Sequence, residues 1–333
     1  MLTPKQIARH APEISGDNLF INGGFDIWQR ATSQTATGCG SADRWRFNVV
    51  GTTQSVSRQA ADGSEPFKAK YYVRDVVTSS AGSANNALLE YRWELLQETA
   101  GKTITLSFYA KADASKNIAC EMVQYFGSGG SASVFSIDVT TVALTTGWVR
   151  HKVTFDMPSI SGKTIGSGNV WFGLALWLDA GSSFDARTNS LGQQSGTFEF
   201  ANFKLEYGSE ATPFVQRPFA QELSECQRYY VGSITTNPHH QPGAIGPAIT
   251  ADRVSAGTQF PVTMRAIPTV VIYPSPTGGT AGTVTEYNGA TEKGESFGAN
   301  TKAYGGFNWI SGAGGALTIG NFHRYYYTAD AEL

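Results

Sequence analysis

A chain of 333 residues is too long for one ordinary β-sandwich and suits two domains. Hydrophobic residues make up 41% of it, enough for real cores, whereas 16% is charged and the net charge is −2. No basic stripe is present to neutralise phosphates, which argues against nucleic acid and anionic membrane as partners.

The 37 glycines stand among many Thr, Ser, Val, Tyr and Phe, a mixture that favours short strands and tight turns and predicts an all-β fold. The opening "MLTPKQIARHAPEIS" lacks an apolar signal core, and no stretch is long enough to span a bilayer. The expectation is synthesis in a cytoplasm without a secretion signal, with residues 1–17 as a polar leader or attachment segment.

Strand signals begin at Asn18. "NLFINGGFDIWQR" (18–30) reads as an opening strand with a bulge at Gly23-Gly24, and "ADRW" (42–45) follows it. In "TITLSFYAKA", Ile104, Leu106, Phe108 and Ala110 alternate with Thr105, Ser107, Tyr109 and Lys111. "IACEMVQYFG" (118–127) and "WVRHKVTFDMP" (148–158) continue the pattern, with His151 in line with Val149 and Val153 as a packed histidine. "NVWFGLALWLD" (169–179) places Trp171, Gly173, Ala175 and Trp177 on one side and Val170, Phe172, Leu174, Leu176 and Leu178 on the other. Gly/Ser/Thr-rich loops separate these strands, the spacing of a β-sandwich or jelly roll over residues 18–218.

"ANFKLEYGSEATPFVQRPFAQELSECQRYY" (201–230) reads as a closing strand, a Pro-marked descent and a short helix. The helix carries Phe219, Leu223, Cys226 and Tyr230 near one stripe, with Pro218 at its start. Beyond it, "NPHHQPGAIGP" is turn-rich and "AGTQFPVTMRAIPTVVIYPSP" carries short strands broken by Pro261, Pro268 and Pro274. Residues 219–333 are thus predicted to be a linker helix plus a smaller β-domain. The three cysteines, Cys39, Cys120 and Cys226, show no metal-ligand spacing and read as free thiols or one unassigned disulfide.

No phosphate loop, paired-histidine metal motif or nucleophile elbow occurs. His239-His240 reads as a solvated loop or a metal contact, although adjacent extended residues point apart. The acidic residues Asp138, Asp156, Asp179, Asp185, Glu199 and Glu206 define no carboxylate pair of the kind glycoside hydrolysis needs. The aromatics offer more. Small residues between Trp171 and Trp177 leave room for a flat ligand, and sugar rings stack C–H faces on such rings. Tyr109 and Tyr125 lie on neighbouring predicted strands, and Tyr91 and Trp93 share a face of another. The four-residue platform Trp171, Trp177, Tyr109 and Tyr125 is one reading; filling of a sandwich layer is the other. The loop "DAGSSFDARTNSLGQQSG" supplies Asp, Arg, Asn and Gln side chains able to bond sugar hydroxyls.

These phrases, together with "FHRYYYTADAEL" at the end, resemble tail-fibre and receptor-binding proteins of tailed bacteriophages over nearly the whole chain after residue 17. The first domain is also similar to carbohydrate-binding jelly rolls that open N-x-x-x-N-G-G-F. The resemblance implies a non-catalytic virion protein that binds host surface polysaccharide during adsorption. It further implies a homotrimer joined to other tail or fibre proteins through the leader. The apolar run "FPVTMRAIPTVVIY" would then be buried against neighbouring copies. A structural calcium ion tying first and last strands is implied at Asn22, Asp26 and Glu206, although Ala201-Asn202 replace the paired acidic residues usual near the last strand. The alternatives are a structural virion component, such as a head decoration or fibre-to-tail adaptor, and a polysaccharide depolymerase.

Overall fold

The computed structural model describes residues 17–234, 241–286, 292–293, 295–300, 302–313 and 317–333. The predicted leader up to residue 16 and the His239-His240 pair lie outside them. Two compact units form, and they do not follow a single cut at residue 218. The first runs through Gly24 and takes Asn48–Gln54 and Gln59–Gln216; the second takes Phe25–Phe47, Ser55–Arg58 and Arg217–Leu333.

The chain up to Gln216 contributes strands β1 (Ser33–Gln34), β2 (Trp45–Val50), β3 (Thr53–Ala60), β4 (Tyr71–Thr78), β5 (Asn86–Trp93), β6 (Thr103–Ala112), β7 (Lys116–Tyr125) and β8 (Val134–Leu144). It continues with β9 (Val149–Asp156), β10 (Trp171–Ala180) and β11 (Gly196–Tyr207). Two four-residue helices, α1 (Leu96–Thr99) and α2 (Asp185–Thr188), interrupt the connections. In the first unit the sheets run β3-β4-β11-β6-β9 and β2-β5-β10-β7-β8, an antiparallel β-sandwich. The predicted strand over 103–112 matches β6 residue for residue, because strict alternation buries Ile104, Leu106, Phe108 and Ala110.

The opening phrase is corrected: residues 18–24 form an irregular segment, not a strand. They are nonetheless bound to the last strand of the sandwich, β11. The Leu19 N–H donates to the Leu205 carbonyl at 2.8 Å, the Phe203 N–H to Gly23 at 2.9 Å, and Asn18 Oδ1 accepts from the Phe20 and Leu205 N–H groups. Gly23 is required by that approach, since a Cβ there would stand 2.3 Å from the Phe203 oxygen. Phe20 enters the core against Tyr91, Trp93 and Phe203 at 4.8, 4.8 and 5.7 Å. Tyr91 and Trp93 therefore face inward, where the Tyr91 hydroxyl meets the Ile21 backbone and the Trp93 indole donates to the Leu19 carbonyl.

The second unit begins its C-terminal part with helix α3 (Phe219–Gln227), as predicted, with Pro218 before it. The predicted stripe is corrected at its start: Phe219 is 47% exposed, while Cys226 and Tyr230 are buried. Strands β12 (Tyr230–Gly232), β13 (Ala244–Thr250), β14 (Arg253–Gln259), β15 (Thr269–Tyr273), β16 (Val284–Glu286), β17 (Glu292–Lys293), β18 (Glu295–Asn300), β19 (Gly306–Ala313) and β20 (Phe322–Asp330) follow. The path β13-β14-β19-β18-β15-β20 closes because β20 pairs with β13 as well as β15. The ring encloses Val254, Ile272, Phe297, Phe307, Ile310, Tyr325 and Tyr327. The run "FPVTMRAIPTVVIY" fills this core through Phe260, Met264, Val270 and Ile272, not a face left for a neighbouring copy. Only Ile267 of that run is a strongly exposed large hydrophobic.

The N-terminal insertion belongs to the second unit through charge. Arg30 Nη2 lies 3.1 Å from Asp330 and 3.3 Å from Glu332, and its guanidinium rests 3.8 Å over the Tyr230 ring. Arg44, 2% exposed, pairs with Glu332 and stacks 3.5 Å over Tyr229. Burial pushes the Asp43 carboxyl up to about 6 against the pull of Arg30. All three cysteines are free, Cys120 and Cys226 buried and Cys39 half-buried, and burial raises the Cys39 thiol to about 12. Among the described residues no helix is long and apolar enough to cross a membrane.

Two measurable consequences follow from the buried charges. Glu332→Gln removes a carboxylate that both Arg30 and Arg44 share and should cost about 3–5 kcal/mol, read by denaturant unfolding. In the first unit, Asp75 is wholly buried on the inner face of β4, takes a 2.6 Å bond from Gln54, and is pushed up to about 7 by burial. Its folded value lies above the unfolded one, so stability falls as pH rises between about 4 and 7 and stays low above that. Asp75→Asn, which mimics the protonated form, should raise stability near pH 8 by on the order of 4 kcal/mol, and the gain should vanish toward pH 4.

Candidate functional site

The outer face of the β5-β10-β7 ladder carries four rows set by register. Trp171 is opposite Tyr125, Gly173 is opposite Arg92 and Val123, Ala175 is opposite Glu90 and Glu121, and Trp177 is opposite Leu88 and Ala119. The predicted side of β10 is therefore the outer one, as the alternation requires. It is divided in two.

At the Trp177 end the face is closed. Leu88, Ala119, Ala175, Trp177 and Ala180 form a buried cluster, with Phe184 and Leu191 from the 181–195 loop packed on it. The Phe184 ring lies 4.9 Å from Trp177, which is 2% exposed. The Trp177 indole N–H donates to Glu121 Oε1 at 3.1 Å. Arg187 of α2 donates to the same oxygen from Nε at 2.8 Å and also from Nη2, and the Ser136 N–H donates to Oε2 at 2.8 Å. Trp177 is thus a covered core residue, not an accessible ring.

At the Trp171 end the face is open as a hollow of about 280 Å³. Trp171 and Tyr125 stack with centroids 5.3 Å apart and planes 27° from parallel. The Arg92 guanidinium lies 4.6 Å over the Trp171 ring and pairs with Glu90 at 3.3 Å. Phe135, 48% exposed, stands at the rim with the Arg187 guanidinium 4.4 Å over it. Gly173 keeps the floor low: a Cβ there would come within 2.9 Å of the Trp171 ring and 2.8 Å of the Tyr91 oxygen. Planar groups, a shallow floor and paired charges at both ends suit a polyhydroxylated ring, whose C–H face packs on aromatics and whose hydroxyls bond Arg and Glu.

Tyr109 is not part of this arrangement. It lies on β6 in the other sheet, where Phe67 packs 4.8 Å from it and 4.9 Å from Trp148. The four predicted platform residues thus separate: Trp171 and Tyr125 are together, Trp177 is beneath the loop, and Tyr109 is elsewhere. The sequence reading missed Arg92, Glu90 and Phe135. The signal for the first two was the alternation in "LLEYRW", where Glu90 and Arg92 must oppose the inward Tyr91 and Trp93. The loop arginine it did note, Arg187, is the end wall.

His151 is half-buried 5.5 Å from Phe108, and desolvation lowers its pKa. For the residues expected to hold calcium, the Glu206 carboxylate is already engaged. Oε1 accepts from the Thr212 N–H at 2.8 Å, while Oε2 accepts from the Thr212 hydroxyl at 2.7 Å and pairs with Lys204 at 3.2 Å. Asn22 is buried and left-handed at φ 59°, and Asp26 is half-buried. With an ammonium already on Glu206, this set does not fit a cation. Among the described residues no group of three or more His, Cys, Asp or Glu is placed to hold a metal ion.

No protein-family model matches the chain, and no curated protein matches it in sequence. Solved structures do. A family 11 carbohydrate-binding module from Clostridium thermocellum, in complex with a β-1,3-1,4-mixed-linked tetrasaccharide, is 14% identical over 54% of this chain and 99% of that one, with a TM-score of 0.34. The CBM22-1 xylan-binding domain of Paenibacillus barcinonensis Xyn10C is 12% identical over 54% of this chain and 94% of that one, at 0.30. The enzymatically active domain of tailspike protein 4 of bacteriophage CBA120 is 9% identical over 57% of this chain and 21% of that one, at 0.32.

The division of the face sets the outcome of two substitutions. Trp177→Ala should cost about 3–5 kcal/mol of stability in urea or guanidinium unfolding, because it empties a covered site. Trp171→Ala, at an open site, should cost less than about 1 kcal/mol by the same measurement.

Proposed function

We propose that this chain is a non-catalytic glycan-binding protein of a tailed-bacteriophage virion, a tail-fibre component that holds host-surface polysaccharide in the hollow at Trp171 and Tyr125. The observation that carries the glycan reading is the stacked row Arg92–Trp171–Tyr125 beside an open floor at Gly173. The virion assignment rests on the resemblance of the bracketing phrases to tail-fibre proteins. A homotrimer on a multivalent particle would let weak single sites act together, since each bound copy raises the effective concentration seen by the next.

A depolymerase reading would need a second carboxylate beside Glu90, which lines the hollow; the nearest by register, Glu121 across Ala175, does not line it. Glu121 is fully buried, and its oxygens are taken by Arg187, Trp177 and the Ser136 N–H. It is therefore held as a structural anion and is not available to a sugar bond. Holding, not cutting, is the reading the geometry favours.

The test is a screen of the intact protein on a bacterial-glycan array, followed by calorimetry with the best hit. Trp171→Ala should lower affinity at least tenfold, about 1.4 kcal/mol, with the melting curve preserved. Unchanged affinity in a folded Trp171→Ala protein would sink the hollow as the site. Binding to no glycan, with capture of another virion protein at this face, would support the structural-component alternative. Oligosaccharide released from host capsule or lipopolysaccharide would support the depolymerase.

A further inference from the structure

The outer face of the other sheet carries a second hollow, of about 500 Å³, across β4, β11 and β6. Register builds its floor. Glu199 on β11 stands directly opposite Arg74 on β4 and Lys111 on β6. Its Oε1 takes Arg74 Nε and Nη2, both at 2.6 Å, and its Oε2 takes Lys111 Nζ at 2.7 Å. The Glu199 side chain is 6% exposed, whereas Arg74 is 40% exposed and Lys111 29%. Two cations therefore clamp one sunken anion and still present donors to the hollow. Asp113 at the rim pairs with Lys116 at 3.8 Å; the floor triad of two cations on one carboxylate carries one net positive charge, and Asp62 also lies within electrostatic reach of Lys111.

A guanidinium and an ammonium on either side of a recessed carboxylate match a small planar anion, which each can bind by charge-assisted hydrogen bonds. The hollow is larger than such an anion alone. Lys111 also lies 5.0 Å over the ring of Trp148, which does not line the hollow, while Thr146 and Thr197 bring hydroxyls to its lining. Charge on the floor and hydroxyls at the lining together suit a sugar ring that bears a carboxylate. We propose that this hollow is a second, independent glycan site, specific for a uronic acid residue whose carboxylate takes Arg74 and Lys111. It shares no residue with the hollow at Trp171 and lies on the opposite sheet.

The test uses the full chain with a galacturonic acid trisaccharide as probe, by calorimetry at low and high salt. Wild type and Trp171→Ala should bind it alike, and the Arg74→Gln/Lys111→Gln double variant at least tenfold more weakly. Binding should weaken severalfold as salt rises from about 50 to 300 mM. Glu199→Gln supplies the arm that a merely structural role would not move: removal of the competing carboxylate should tighten binding, although it breaks both ion pairs. The neutral galactose trisaccharide should not compete. Four results would overturn the proposal: no binding by wild type, unchanged affinity in the double variant, loss in Trp171→Ala, or weaker binding by a folded Glu199→Gln protein. Displacement of the probe by equimolar inorganic phosphate would overturn its sugar specificity and leave an anion site.

Discussion

One buried carboxylate decides where this sandwich is closed and where it is open. Glu121 lies on the outer face of β7 with no exposure, a position tolerable only if its charge is met. Arg187, the Trp177 indole and the Ser136 N–H meet it. That requirement fixes the short helix carrying Arg187, and with it Phe184 and Leu191 come down over Trp177. The cover ends where Arg187 ends. Beyond it the same strand face, built from the same alternation, is left as the hollow at Trp171.

The second unit shows the same logic of buried charge answered from afar in sequence. Arg30 and Arg44 belong to a segment that sequence order would give to the sandwich. Their partners are Asp330 and Glu332 at the other end of the chain, and their stacking partners Tyr230 and Tyr229 follow helix α3. An arginine cannot discharge itself, so its partners must be supplied, and the chain folds back to supply them. The unit is discontinuous for that reason.

What the sequence made legible follows from period and chemistry. The strand at 103–112, both faces of β10 and the helix after Pro218 are local patterns; the two strands stand as read, and the helix stands in place but without Phe219 on its buried stripe. The opening segment was legible as an attachment to the last strand but not as irregular, because its bonds run to β11 instead of forming a ladder of its own. Long-range facts were hidden. That Trp177 is covered while Trp171 is open depends on a loop whose docking turns on Glu121 and Arg187, 66 positions apart. That Tyr109 leaves the platform depends on which sheet β6 joins, and alternation cannot say. The apolar run near residue 265 reads the same whether it fills its own ring or a neighbour's face.

On the proposed function, a glycan enters the open half of the divided face and leaves the covered half untouched. Fluorine NMR of protein carrying 5-fluorotryptophan tests it directly, with the seven resonances assigned by single Trp→Phe substitutions. Titration with a neutral glycan that the protein binds should shift the Trp171 resonance in proportion to occupancy and leave Trp177 in place. A shift confined to Trp177, or to Trp309 in the second unit, with Trp171 unmoved at saturation, would contradict the account.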